Sequence, residues 1–303
     1  MTSCNPSSTT SFPLTLLPDI KGEAISFLGD TFQASGLDIA AFLHPDSLLE
    51  EAGNDYHADS TDLNAIIWYG RRLAYAYRFR EAIDIFSRGM ELHPQSPELY
   101  RHRGHRFLTV RQPENAIHDL ETGASLLRDR KIELEPDDIP NKLDLPLSNL
   151  HFNIYYHLGL AWYVKGTYPK AIAAFLSAMQ YADNADLNVV STYWLYLSYL
   201  RSGENAAAKQ ILEHISGDME IIENEGYLHQ LLVFAGKENP PASSDSSISP
   251  LSFVNLYGMS CWNDANGRAA EAATWRRRIL STGIWPSFGY LAAEADSARL
   301  IKK

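Results

Sequence analysis

Arg71 and Arg72 are followed 34 residues later by His105 and Arg106. Between Trp68 and Arg111 the chain carries nine arginines, no lysine and four acids (Glu81, Asp84, Glu91, Glu98), a local balance of +5 in a chain of net charge −11. A guanidinium is planar and permanently charged, and its fork of N–H donors grips a carboxylate or phosphate at two points. Arginine without lysine therefore points to recognition of an anionic group; solvated helix faces with internal Arg–Glu pairs are the alternative. Other chemistry is thin. His102 and His105 could share a helix face, but Arg101, Arg103 and Arg106 surround them and repel a cation. Glu225 and His229, four apart on an expected helix, suit an ion pair better than an acid–base couple. Cys261 lies in an apolar helical stretch, where cysteine packs more often than it reacts. No nucleophile elbow, phosphate loop or metal signature is present. Neither catalysis nor a cofactor or metal is the leading expectation.

The elements that must hold these arginines are read from an interleaved pattern. Gly70, Ala82, Phe86 and Gly89 recur 34 residues on as Gly104, Ala116, Leu120 and Gly123. That period is the length of one helix–turn–helix unit in a solenoid. The small residues let two helices approach, and Phe86 or Leu120 fills the space between them. A third unit carries Gly159, Trp162, Gly166, Tyr168, Ala171, Phe175 and Ala178. Its glycine comes 55 residues after Gly104, one period plus 21. The extra residues fall at 128–148, where Pro136, Pro140 and Pro146 among charges predict an exposed insertion. A fourth unit (Leu195, Tyr199, Gly203, Ala208, Leu212) and a fifth (Tyr257, Gly258, Cys261, Gly267, Ala272) follow more loosely.

This pattern resembles the tetratricopeptide repeat (TPR) family, strongly over 63–96, 97–130 and 152–185 and loosely over 189–216 and 251–283. Arg103 and Arg128 depart from it, standing where the motif has Leu and Pro. The resemblance implies an all-α fold, a right-handed superhelical stack of antiparallel helix pairs. It also implies that the first helix of each pair lines a concave face. Carried over by position, the ligand-facing residues include Asn64, Arg71 and Tyr75 in unit one, Arg101 and His105 in unit two, and Asn153, Tyr156 and Tyr163 in unit three. A chaperone-type carboxylate clamp is not implied, because its positions here carry Ile67, Arg71, His102, Asn153 and His157.

Around the repeats, 1–18 reads as a disordered Ser/Thr/Pro tail. Residues 19–60 read as an N-terminal cap, with Pro45 opening a helix to Glu51. The stretch 236–250, with three prolines and five serines, reads as a flexible loop, and the last residues as a capping helix. The TPR-like repeat domain spans 61–303, including the insertion at 128–148 and the loop at 236–250. The acidic balance argues against nucleic acid. No apolar run is long enough to span a membrane, and no signal peptide is evident, so a cytoplasmic protein is expected. The functional expectation is a non-catalytic scaffold binding an acidic peptide or protein on its concave face, with a homodimer as a further option. The alternative is a small-molecule pocket or enzyme sealed inside the solenoid by 20–58, 128–148 and the aromatic C-terminus (Trp262, Asn263, Trp285, Phe288, Tyr290, Glu294).

Overall fold

The computed structural model describes residues 17–34, 46–136, 141, 143, 146–245 and 247–301. A two-stranded antiparallel hairpin, β1 (Ala24–Ile25) and β2 (Thr31–Phe32), precedes α1 (Asp46–Ala58). Five helix pairs follow: α2 (Leu63–Tyr75) with α3 (Phe79–Leu92), α4 (Pro97–Thr109) with α5 (Pro113–Leu126), α6 (Leu150–Lys165) with α7 (Tyr168–Met179), α8 (Ala185–Ser202) with α9 (Asn205–Ile211), and, after α10 (Glu225–Phe234) and α11 (Pro250–Asn255), α12 (Tyr257–Ala265) with α13 (Ala269–Ser281). The final helix is α14 (Phe288–Ile301). The fold is an all-α solenoid. Pro45, the tail up to residue 16, part of the insertion, and Lys302 and Lys303 lie outside the described residues.

Helix starts follow local chemistry. Asp62, Asn149 and Asn184 cap α2, α6 and α8, each side chain accepting the backbone N–H three residues on. Pro97 and Pro113 sit in the first turn of α4 and α5, where no N–H is needed. Within the pairs the small residues act as their spacing predicts. A Cβ on Gly70 would lie 2.4 Å from the Phe86 ring, one on Gly104 2.8 Å from Leu120, and one on Gly159 2.5 Å from Phe175. Ala82, Ala116, Ala171, Ala208 and Ala272 are all fully buried, so the second helices of all five pairs hold the same register. Gly258 differs. Its Cβ would meet Tyr193 and Phe234 of neighbouring elements, so this glycine serves packing against the preceding unit.

Two residues before each second helix the backbone turns left-handed. Gly166, Gly203 and Gly267 occupy that position in the last three pairs. Tyr77 (φ 59°) and Arg111 (φ 66°) occupy it in the first two, at a cost of about 1–2 kcal/mol for a side chain there. Arg111 is held by long-range bonds. Its guanidinium pairs with Glu294 at 2.7 Å and donates to the carbonyls of Thr109 and Trp285.

Arg103, which departs from the motif's Leu, is buried and satisfied. It forms a two-point bond to Asp119 (2.7 and 2.8 Å) and donates to Ser87 Oγ. The 236–250 loop is tied to α13, because Arg278 donates to the carbonyls of Ser243 and Asp245. His229 faces Glu238 at 3.1 Å.

The two ends of the described chain meet. Phe32 stacks on Trp285 at 5.0 Å, and the Phe27 N–H donates to Glu294 at 2.5 Å. Helix α14 lies against α6, with Arg299 donating to the Val164 carbonyl. The face built by the first helices is therefore covered along the third unit.

Candidate functional site

A cavity of about 170 Å³ opens between α2, α4 and α6. Five of the sequence-expected residues line it: Arg71, Tyr75, Arg101, His105 and Asn153. Their convergence follows from the stack, since each projects from the first helix of successive pairs. The other three lie elsewhere. Asn64 is exposed in a separate cleft between α1 and α2, beside Asp55, Asp59 and Trp68. Tyr156 is buried among Phe152, Phe175 and Phe288. Tyr163 is fully buried, its hydroxyl 2.8 Å from that of Tyr257 and 3.3 Å from Cys261 Sγ. Neither tyrosine faces a groove, because α14 and α12 occupy the space that an open stack would leave beside α6.

The cavity holds a carboxylate that belongs to the chain itself. Leu134 bridges to Asn149, and the Glu135 N–H donates to the Ser148 carbonyl at 2.8 Å, bringing the two limbs of the insertion together. Glu135 then turns inward and is only 8% exposed. Asn153 donates to its Oε2 at 2.7 Å, and Arg101 Nε lies 3.2 Å from Oε1. Arg71 reaches past it to donate to the Pro136 carbonyl at 2.6 Å. The tautomer of His102 follows from its neighbours. Arg101 Nη1 approaches His102 Nδ1 at 2.9 Å as a donor, so Nδ1 is unprotonated and Nε2 carries the hydrogen toward Glu135, 3.4 Å away.

Electrostatics give the pocket its sign. Arg71, Arg101 and Arg106 line it, against one carboxylate, Glu135, among the described residues. Burial, then the charge of Arg101, pulls the Arg106 pKa down to about 9. The Arg106 side chain has no hydrogen bond or ion pair among the described residues; its guanidinium lies 5.6 Å from the Phe79 ring. His102, His105 and His157 are all pushed well below the ordinary histidine value, first by burial and then by neighbouring arginines. They are neutral at pH 7 and add donors and acceptors without charge. Phe288 of α14 forms part of the wall behind them, 5.2 Å from the His105 ring and 5.6 Å from that of His157. Among the described residues no three His, Cys, Asp or Glu side chains converge as a metal site would require.

Arg106, Glu135 and Pro136 of this site were not on the sequence-derived list. Arg106 was visible as the 34-residue partner of Arg72. Glu135 and Pro136 fall in the insertion, and the signal there was an acidic run facing a nine-arginine stretch.

No known family profile and no curated protein matches the sequence. Among solved structures, the chain is similar to YrrB, described as a TPR protein with an unusual peptide-binding site, at 9% identity over 77% of this chain and 93% of that one, with a TM-score of 0.44. It is similar to the MamA protein at 15% identity over 67% and 95%, TM-score 0.43. It is also similar to PilW, a type IV pilus biogenesis factor, at 11% identity over 81% and 94%, TM-score 0.43. The TPR-like character of this chain stands on its own packing: the glycine–aromatic contacts, the buried alanines and the shared left-handed turn.

Proposed function

We propose that the protein is a helical-repeat scaffold that binds a peptide or protein partner through an acidic group received in the Arg71–Arg101–Arg106 pocket. The observation that carries this reading is Glu135, a carboxylate seated among donors that the repeat helices supply. A charge-assisted hydrogen bond of this kind contributes about 1.5–3 kcal/mol, or roughly 10- to 150-fold in affinity. The test compares acidic peptides with their Gln/Asn counterparts by fluorescence anisotropy. The acidic set binds more tightly, and Arg101→Glu or Arg106→Glu removes the preference while the helical circular dichroism is retained. Equal binding of both sets by the unaltered protein refutes the proposal.

The size of the cavity and the cover that α14 provides favour a second reading, in which the occupant is a free small carboxylate. Succinate or citrate binding with the same arginine dependence, and no peptide binding, selects that reading. The proposal also takes the protein to be cytoplasmic and allows self-association; fractionation and light scattering check each.

A further inference from the structure

The insertion shows how a carboxylate enters this pocket, and which residue follows it. Glu135 presents its side chain to Asn153, Arg101 and His102, while the next carbonyl, that of Pro136, accepts from Arg71. Proline at that position needs no N–H partner and biases the glutamate before it toward extended backbone. We propose that the external partner is an extended peptide carrying glutamate immediately before proline, and that residues 132–136 are a tethered stand-in which that peptide displaces. The inference rests on the pocket being a peptide site.

The two limbs of the insertion are held unequally. The 146–149 limb is fastened to the repeats: Asn149 caps α6 and donates to the Tyr181 carbonyl, and Asn184 donates to that of Leu147. The 132–136 limb buries little apolar surface, with Ile132 and Leu134 58% and 54% exposed. Among the described residues it is held by the bridge from Leu134 to Asn149 and by the polar contacts of Glu135 and Pro136. Segments with few buried apolar contacts open locally at low cost. What opposes opening is the arginine cluster left without its carboxylate. An incoming glutamate restores that carboxylate, so the exchange replaces like with like. A tethered segment competes at an effective concentration of about 1 mM. If the tethered segment's own intrinsic dissociation constant is ~10 μM, a competing peptide is weakened about 100-fold.

The probe is fluorescein-labelled acetyl-IELEP-amide, the sequence of residues 132–136. Anisotropy is measured on the full chain and on Glu135→Ala, with a peptide whose second glutamate is glutamine as control. Glu135→Ala binds the acidic peptide at least about tenfold more tightly than the unaltered protein, and gains nothing for the control. In the unaltered protein, saturating peptide also strips hydrogen-exchange protection from the Glu135 amide, which donates to Ser148. Equal affinity for both proteins with that amide still protected overturns displacement and leaves the pocket reading intact. Control and acidic peptides binding alike overturns the glutamate requirement. No binding to either protein, under conditions where other acidic peptides bind, overturns the Glu-Pro partner. No acidic peptide binding at all overturns the pocket reading. If Glu135→Ala loses its helical spectrum, the exchange measurement on the unaltered protein decides alone.

Discussion

Asp119→Ala is expected to be among the most damaging single changes outside the apolar core. Asp119 is fully buried and meets Arg103 at 2.7 and 2.8 Å, in the position where the repeat pattern asks for leucine. Removing the carboxylate strands a guanidinium that is itself buried, leaving it Ser87 Oγ at 3.0 Å. Breaking a buried pair this way costs about 3–5 kcal/mol, whereas replacing both partners by apolar groups is often neutral or better. Unfolding entropy is about 2.1 cal/mol/K per residue. For 303 residues unfolding together that gives about 0.6 kcal/mol/K, and a melting point lower by roughly 5–8 °C. The double variant Arg103→Leu/Asp119→Leu restores most of the loss. Urea denaturation monitored by circular dichroism, with thermal scans alongside, reads both. A loss below about 1 kcal/mol for Asp119→Ala, or a double variant worse than the single, refutes the argument that an uncompensated charge sets the cost.

Three other outcomes are expected. Gly70→Ala places a methyl 2.4 Å from the Phe86 ring and costs about 1–3 kcal/mol by overpacking; adding Phe86→Leu recovers part of it in the same denaturation assay. His102, His105 and His157 have lowered folded-state values, so the unfolded chain takes up protons first as pH falls below about 6.5. Stability is therefore complete above that pH and declines below it, and a melting temperature flat from pH 7.5 to 5 refutes the burial of these rings. Phe288→Ala lets water reach His105 and His157, whose lowered values are caused first by burial. Their NMR titration midpoints move up toward the ordinary histidine range, and unchanged midpoints would exclude Phe288 as their cover.

The left-handed turns show where local sequence stops being a sufficient guide. In three pairs a glycine marks the turn, but Tyr77 and Arg111 take the same conformation in the first two. Arg111 can do so because Glu294, 183 residues away, and the Trp285 carbonyl hold its side chain. The histidines show the same limit. The arginines beside His102 and His105 were legible in the sequence, but the burial that first keeps these rings and His157 neutral comes from tertiary packing.

The sequence by itself determined the helix pairs and their register. Gly70 and Phe86, or Gly159 and Phe175, lie 16 residues apart and meet across a single hairpin, so their complementary sizes are written within one repeat. It also determined that Arg71 and His105, one position along from Gly70 and Gly104, would face a common side, because helical spacing fixes the angle between neighbours. Tertiary structure alone decided what that side contains. Tyr156 and Tyr163 became core when α14 and α12 packed beside α6, and Glu135 became the pocket's occupant when the insertion turned inward. Such contacts join residues far apart in the chain or lying in a stretch without periodicity. They are chosen by which charges and apolar faces remain uncovered once the repeats have stacked, and no local pattern of residues records that choice.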